Sequence, residues 1–157
     1  MNKRFYPNYV EGFEYEPDRN RFRIIGDEIK GEGIITLVPF RKDEIVFRFT
    51  GEILPYQTLF TLQIRRGAYI HDPFFMGKLL HSCEPSLICD MSTFTFTSTR
   101  DILPDEYLTM DYESTEEELF REFFCHCGSP DCRGLIRGWG YRPEYKVSRT
   151  AVQYSTV

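Results

Sequence analysis

Three cysteines fall close together in the run Cys125-His126-Cys127-Gly128-Ser129-Pro130-Asp131-Cys132-Arg133-Gly134. Two thiols one residue apart, followed by a third after a Gly-Ser-Pro turn, can converge on one side of a metal ion. A closed structural zinc site takes four ligands. His126, flanked by two of the thiols, would point away from a site that they share. Cys83 or Cys89 is the better fourth ligand, and either would staple the carboxy-terminal segment to the middle of the chain. The bland alternative is a set of free thiols in a turn. A redox pair would need the usual two-residue spacing, which is absent.

The elements that must position this cluster read mainly as strands. Phe22-Arg23-Ile24-Ile25, Ile34-Ile35-Thr36-Leu37-Val38 and Ile45-Val46-Phe47-Arg48-Phe49 are short, β-branched or aromatic, and bounded by Gly, Asp or Pro. The alternation of Thr and Phe over 92–99 is the clearest period-two strand. Residues 57–66 fit either a short helix or a strand. One helix start is marked by Thr115-Glu116-Glu117-Glu118, a capping hydroxyl with Glu three residues on, ahead of Leu119, Phe120, Phe123 and Phe124. The glutamates there read as a solvated helix face over a core stripe. Residues 1–20, polar with Pro7 and Pro17, are expected to run irregularly over the surface. The pattern is that of a mainly β protein with few helices.

The 157 residues, 41% hydrophobic and 16% aromatic, suit one folded domain rather than a disordered chain. No apolar run approaches the roughly 20 residues of a membrane span. The amino terminus lacks the apolar core of a secretory signal, so an intracellular protein is expected, and five cysteines there are metal ligands or buried thiols before they are disulfides. A net charge of −5 argues against direct binding of nucleic acid and suits a basic peptide partner.

Five blocks in order give the sequence a resemblance to the SET-domain protein lysine methyltransferases. Gly31-Glu32-Gly33 looks like the family's Gly-x-Gly, and Phe49-Thr50-Gly51-Glu52 like its Tyr-x-Gly-Glu strand. Leu80-His81-Ser82-Cys83-Glu84-Pro85-Ser86 is similar to its Asn-His-Ser-Cys-x-Pro-Asn block. Asp101 to Tyr112, ending Leu108-Thr109-Met110-Asp111-Tyr112, follows its Asp-Ile-x-x-Gly-Glu-Glu-Leu-Thr-x-Asp-Tyr block. Cys125 to Gly134 is similar to the post-SET motif.

The resemblance implies an α+β, mainly β fold of short curled sheets with a knot-like core. Residues 1–20 would be an amino-terminal extension, 21–123 the SET domain, 124–138 the post-SET zinc motif and 139–157 a tail. It implies that Cys83 joins Cys125, Cys127 and Cys132 on zinc, leaving Cys89 as a small buried hydrophobe. The implied activity is S-adenosylmethionine-dependent lysine methylation of a basic protein tail such as a histone, with a nuclear location if the substrate is a histone and a cytoplasmic one otherwise. Lys30, Gly31, Glu32, Gly33, Leu80, His81 and Tyr112 would contact the cofactor, and Phe49 and Tyr112 would line the lysine channel. Such a transfer is an in-line displacement, in which alignment supplies roughly 7–11 kcal/mol. Lysine, with a pKa of about 10.4, must react as the neutral amine, which an apolar channel favours. Tyr112 would be catalytic, its hydroxyl near the transferring methyl group. His81 fits a structural or backbone-contact role better than that of a base. Trp139 and Tyr141 would close the channel or simply pack.

Three departures stand out: Leu80 for the family asparagine, Phe49 for its tyrosine and Ser86 for the asparagine after proline. They sustain an alternative reading, a catalytically inactive SET-like module that binds peptides or protein partners.

Overall fold

The computed structural model describes residues 2–29 and 31–143. Among the described residues, twelve strands form five small sheets. Strands β1 (Phe22–Asp27) and β2 (Gly31–Thr36) make an antiparallel hairpin with Ile34 opposite Ile24. Strand β3 (Ile45–Arg48) pairs with β9 (Thr95–Ser98), which also pairs with β8 (Leu87–Asp90). A third sheet sets β6 (Ala68–His71) between β4 (Glu52–Leu54) and β5 (Thr61–Arg65). Of the ambiguous stretch at 57–66, residues 61–65 are therefore strand and residues 57–60 loop and turn. The Thr–Phe alternation becomes a strand only from Thr95, because Phe94 takes a left-handed turn conformation at φ 53°.

Two further strands are two residues long and set the site. Strand β7 (Leu80–His81) runs parallel to β10 (Thr109–Met110), with Leu80 opposite Thr109 and His81 opposite Met110. Ser82 N–H extends the pairing to the Met110 carbonyl at 3.0 Å. This crossing is the knot-like core that joins the His81 and Tyr112 segments. Buried Ser86 completes it: its N–H donates to Thr109 Oγ1, and Thr109 N–H donates to Ser86 Oγ, each at 3.0 Å. A serine thus satisfies the position where the family pattern has asparagine. Strand β11 (Phe123–Phe124) pairs antiparallel with β12 (Leu135–Ile136) across the cysteine run.

The core is aromatic. Phe47 stacks on Phe96 at 4.9 Å and meets Phe75 edge-on at 4.8 Å, and Phe22 meets Phe75 at 5.4 Å. The amino-terminal segment is irregular, but it does not merely cover the surface. Phe5 packs on Phe75 at 4.7 Å, and buried Tyr6 donates to Asp72 Oδ2 at 2.7 Å. Asp72 in turn accepts the N–H groups of Phe74, Phe75 and Met76.

The helix expected from Thr115 does not form. A 3-10 turn at Tyr112–Ser114 gives way to irregular chain. Here tertiary partners outbid local propensity: Trp139 and Gly140 N–H donate to the carbonyls of Glu116 and Glu117, both at 2.9 Å, and Leu119 N–H to Arg137 at 2.9 Å. The glutamates are not a solvated face either, since Glu116 is buried. No helix among the described residues is long and apolar enough to cross a membrane.

Phe75→Ala would empty the junction of Phe5, Phe22 and Phe47. Chemical unfolding should show a loss of about 3–5 kcal/mol, whereas a loss below about 1 kcal/mol would place the aromatic core elsewhere.

Candidate functional site

Cys83, Cys125, Cys127 and Cys132 converge, with all four Sγ atoms within 4.8 Å of one another. Cys83 and Cys125 Sγ are 3.9 Å apart. A tetrahedral zinc with Zn–S bonds of about 2.3 Å places its sulfurs about 3.8 Å apart, so the donor set fits that ion. Arg133 N–H donates to Cys83 Sγ at 3.4 Å, the kind of outer contact that supports a thiolate ligand. Burial would raise the Cys127 thiol, but the N–H groups of Ser129 and Cys83 lower it, toward the form that a metal takes. Cys89 lies apart on β8, packed against the core beside Met91; burial raises its thiol.

Glu113 ties this cluster to the knot. Its side chain is fully buried and accepts Arg137 N–H at 3.1 Å and Gly138 N–H at 3.0 Å. The guanidinium groups of Arg133 and Arg142 reach it at 2.9 and 3.1 Å. Burial alone would raise this carboxyl; the Gly138 and Arg137 N–H groups and Arg142 outweigh that and lower it. Gly138, at φ 122° with the Glu117 carbonyl 2.3 Å from where a Cβ would sit, has room for no side chain. Arg133 also pairs with Asp111 at 2.6 Å.

Between Cys83 and Tyr112 lies His81, its side chain buried. Its Nδ1 accepts the Tyr112 N–H at 3.0 Å, which leaves Nε2 to face Cys83 Sγ at 3.4 Å. Burial pushes its pKa down to about 4 against the pull of Asp111, so the ring is neutral. The ring of Tyr112 packs between His81 at 5.2 Å and Phe123 at 5.9 Å. Its hydroxyl donates to the Leu79 carbonyl, and burial raises the phenol, which therefore stays protonated.

A cleft of about 430 Å³ opens beside Tyr112, within the size range of small-molecule sites. It brings together Gly31, Glu32, Leu80 and Tyr112 from the residues singled out in the sequence. Gly33 lies behind its wall: a Cβ there would fall 2.8 Å from both Leu80 Cδ1 and Tyr107 Cε1. His81 supports the wall through Tyr112. Phe49 is a core residue packed on Phe94 and Phe96 at 5.3 and 5.6 Å, and does not line the cleft. Lys30 lies outside the described residues. Leu59, Phe60 and Phe120 supply an apolar wall, and Lys78 pairs with Glu32 at 2.8 Å at the rim.

Trp139 and Tyr141 line a second cavity of about 640 Å³ with Gln57, Gln63, Tyr69 and Glu118. Trp139 is buried, and its Nε1 finds no hydrogen-bond partner among the described residues. Two acids are important here: Glu113, which no motif marks, and Glu116, which the local pattern sets on a solvated helix face. Each takes a main-chain partner far along the chain, Gly138 and Gln63 respectively, and no local pattern marks that.

No family model matches the chain. Over 86 residues, 54% of its length, it is 48% identical to Methyltransferase flvH of Aspergillus flavus, of which the match covers 48%. It is 28% identical over 136 residues, 71% of its length, to the H3 lysine-36 specific histone-lysine N-methyltransferase of Schizosaccharomyces pombe, covering 17% of that protein. The chain thus spans about half or less of the curated relatives that it matches. In fold it matches the methyltransferase domain of human SETMAR with a TM-score of 0.61 at 19% identity, covering 81% of this chain and 60% of that one. KRYPTONITE, solved with mCHG DNA and SAH, matches with a TM-score of 0.61 at 17% identity, covering 80% of this chain and 30% of that one.

Metal analysis should find one zinc per chain. Cys83→Ala should lose it and loosen the segment from 125 to 143, because such sites contribute folding free energy, while Cys89→Ala should keep it. Zinc retained by the first variant and lost by the second would contradict the assignment. Separately, Leu80→Asn would set an amide against Gly33 and the Tyr107 ring. Thermal or chemical unfolding should show about 1–3 kcal/mol of lost stability; a gain would contradict the apolar packing.

Proposed function

We propose that this chain, which has the SET fold and has SET-domain lysine methyltransferases among its relatives, is an S-adenosylmethionine-dependent protein lysine N-methyltransferase. The single observation that carries the reading is the placement of Tyr112. Its hydroxyl is fixed on the Leu79 carbonyl inside a cleft that also holds Gly31, Glu32 and Leu80.

The cleft residues fit the cofactor by their chemistry. Leu59, Phe60 and Phe120 offer an apolar wall for a purine, and Lys78, Glu32 and Arg121 offer charges for an amino-acid carboxylate and ammonium. When bound, S-adenosylmethionine supplies an electrophilic methyl group. Gly31 and Glu32 would hold it through the main chain at the start of β2, with the backbone of Leu80 opposite, while Lys30 and Gly33 flank that stretch and His81 braces it. Tyr112 would orient the reacting nitrogen with its neutral hydroxyl, the aromatic rings around it excluding water. Phe49, behind this site, would tune the channel by packing rather than by a hydroxyl. Zinc on Cys83, Cys125, Cys127 and Cys132 would fix the wall formed by the segment after Tyr112.

A basic, lysine-bearing protein tail fits as substrate. Glu118 lines the second cavity with Tyr69 and Tyr141, beside Glu117 that Arg66 already pairs, and this acidic, aromatic surface suits a cationic chain. Relatives named as histone-lysine methyltransferases and a KRYPTONITE structure holding an H3(1-15) peptide make a histone tail the first substrate to try, and a nuclear location follows if it is methylated. Direct nucleic-acid binding and membrane attachment are not part of this reading. A second reading, an inactive peptide-binding SET module, is favoured by Leu80, whose packing on Gly33 leaves no amide at that wall.

Transfer of labelled methyl groups to core histones and to a lysine-peptide array tests the choice. The parent should methylate, and Tyr112→Phe should lose most of the rate while keeping the fold and cofactor affinity. A parental rate in that variant would return Tyr112 to a packing role.

A further inference from the structure

One ionisable residue in the cleft has no part in the transfer described so far. Glu116 lines the cleft together with Tyr112 and Leu80 and is 4% exposed. Its N–H donates to the Tyr112 carbonyl at 3.0 Å, which places it one turn beyond that residue. Its Oε2 accepts the Gln63 N–H at 2.7 Å, and its Oε1 accepts from Gln57 Nε2 at 3.5 Å. Both donors are neutral. Among the described residues, no lysine, arginine or histidine forms an ion pair with it.

A buried carboxylate held only by neutral donors is a costly charge. It is relieved by a proton or by a cation that a ligand brings. No cation around it pairs with it: Tyr69 on β6 feels Glu116, Glu117 and Glu118 together, Tyr112 is neutral, Arg66 is committed to Glu117 through two contacts at 2.9 and 2.8 Å, and of the two cations that line the same cleft Lys78 pairs with Glu32 at 2.8 Å while Arg121 makes no ion pair with Glu116. Gln57 and Gln63, which hold the carboxyl from behind, also line the second cavity. The Glu116 side chain therefore stands between the cleft and a second opening.

The proposed reaction consumes a neutral amine, so the substrate ammonium must first lose a proton. At neutral pH a lysine with a pKa of about 10.4 is neutral in only about one molecule in 10³. We propose that Glu116 is the proton acceptor for the incoming amine, a role that rests on the methyltransferase reading above. The carboxylate takes one proton from the substrate ammonium and becomes the neutral acid. The lone pair on the freed nitrogen then forms the N–C bond as the S–C bond of the sulfonium donor breaks, which leaves a thioether and an N-methylammonium. The acid returns its proton to solvent past Gln57 and Gln63. Burial, working against the Gln63, Thr115 and Gln57 hydrogen bonds, pushes this carboxyl up to about 7, where a base is effective at neutral pH.

The test is Glu116→Gln, which keeps an acceptor for the Gln63 N–H but takes no proton. With the peptide that the parent methylates best, the variant should be slower by about 10²–10⁴-fold at pH 7. Its rate should then climb about tenfold per pH unit toward the amine's own pKa near 10.4, while the parent levels off above neutrality. Replacing the target lysine by the less basic S-aminoethylcysteine should shrink the deficit. In the free zinc-loaded protein, carbon NMR of the Glu116 carboxyl should show titration near neutral pH. A parental rate at pH 7 overturns the base. So does a deficit that stays constant with pH and with amine basicity, which marks a structural role, or a carboxyl that titrates in the ordinary acid range. If the variant does not fold, two readings on the parent decide alone: the carboxyl titration, and a rate that levels off above neutrality, as the base requires, or climbs on toward pH 10, which overturns it. A parent that transfers no methyl group to any lysine peptide overturns the enzyme reading, and this role with it.

Discussion

The site depends on one buried carboxylate. Glu113 is the second residue of the turn that begins at Tyr112, and it gathers two main-chain N–H groups and two guanidinium groups from the segment beyond the cysteines. A carboxylate with no exposed side-chain surface is tolerable only when its hydrogen bonds and countercharges are all supplied. The chain from Arg133 to Arg142 must therefore fold back onto the knot. That return brings three cysteines to Cys83, sets Trp139 against the Glu116 carbonyl and walls off the cleft beside Tyr112. Loss of any one donor would leave the charge under-paired, which makes the arrangement all-or-none.

Zinc and Glu113 act on the same segment from two sides. The metal would hold Cys125, Cys127 and Cys132 to the strand that carries His81, and Glu113 holds the stretch after them. His81 links the two: one ring nitrogen serves the Tyr112 main chain, and the other faces Cys83. An order imposed at the metal is thus passed through one neutral imidazole to the residue that would orient the substrate. This gives the metal a positional rather than a chemical part, in keeping with a site whose four positions are filled by thiolates.

Much of this was legible in the residues. The spacing of Cys125, Cys127 and Cys132 pointed to a metal because three thiols so close in the chain can meet, though it left Cys83 and Cys89 open as the fourth until the family resemblance chose Cys83, and the β-branched runs at 22–25, 34–38 and 45–49 became β1, β2 and β3. Where local signals failed, distant partners had overruled them. The capping pattern at Thr115 is a sound helix start, but Trp139 and Gly140 claim the carbonyls that a helix would use. Glu116 looked like a surface acid and is buried, because Gln63 lies 53 positions away in sequence. Tyr6 looked like part of a polar stretch running irregularly over the surface and is in the core, where its hydroxyl bonds buried Asp72. Ser86 reads as a loss of a family asparagine, yet its exchange of hydrogen bonds with Thr109 replaces what was lost.

On the proposed function, the cleft beside Tyr112 is a cofactor site kept in shape by the zinc-bound return of the chain. Calorimetric titration of the zinc-loaded protein with S-adenosylmethionine tests it most directly. Saturable binding of one cofactor per chain is expected, weakening sharply when the zinc is stripped. Absence of binding by the zinc-loaded protein, or binding indifferent to zinc, would contradict it.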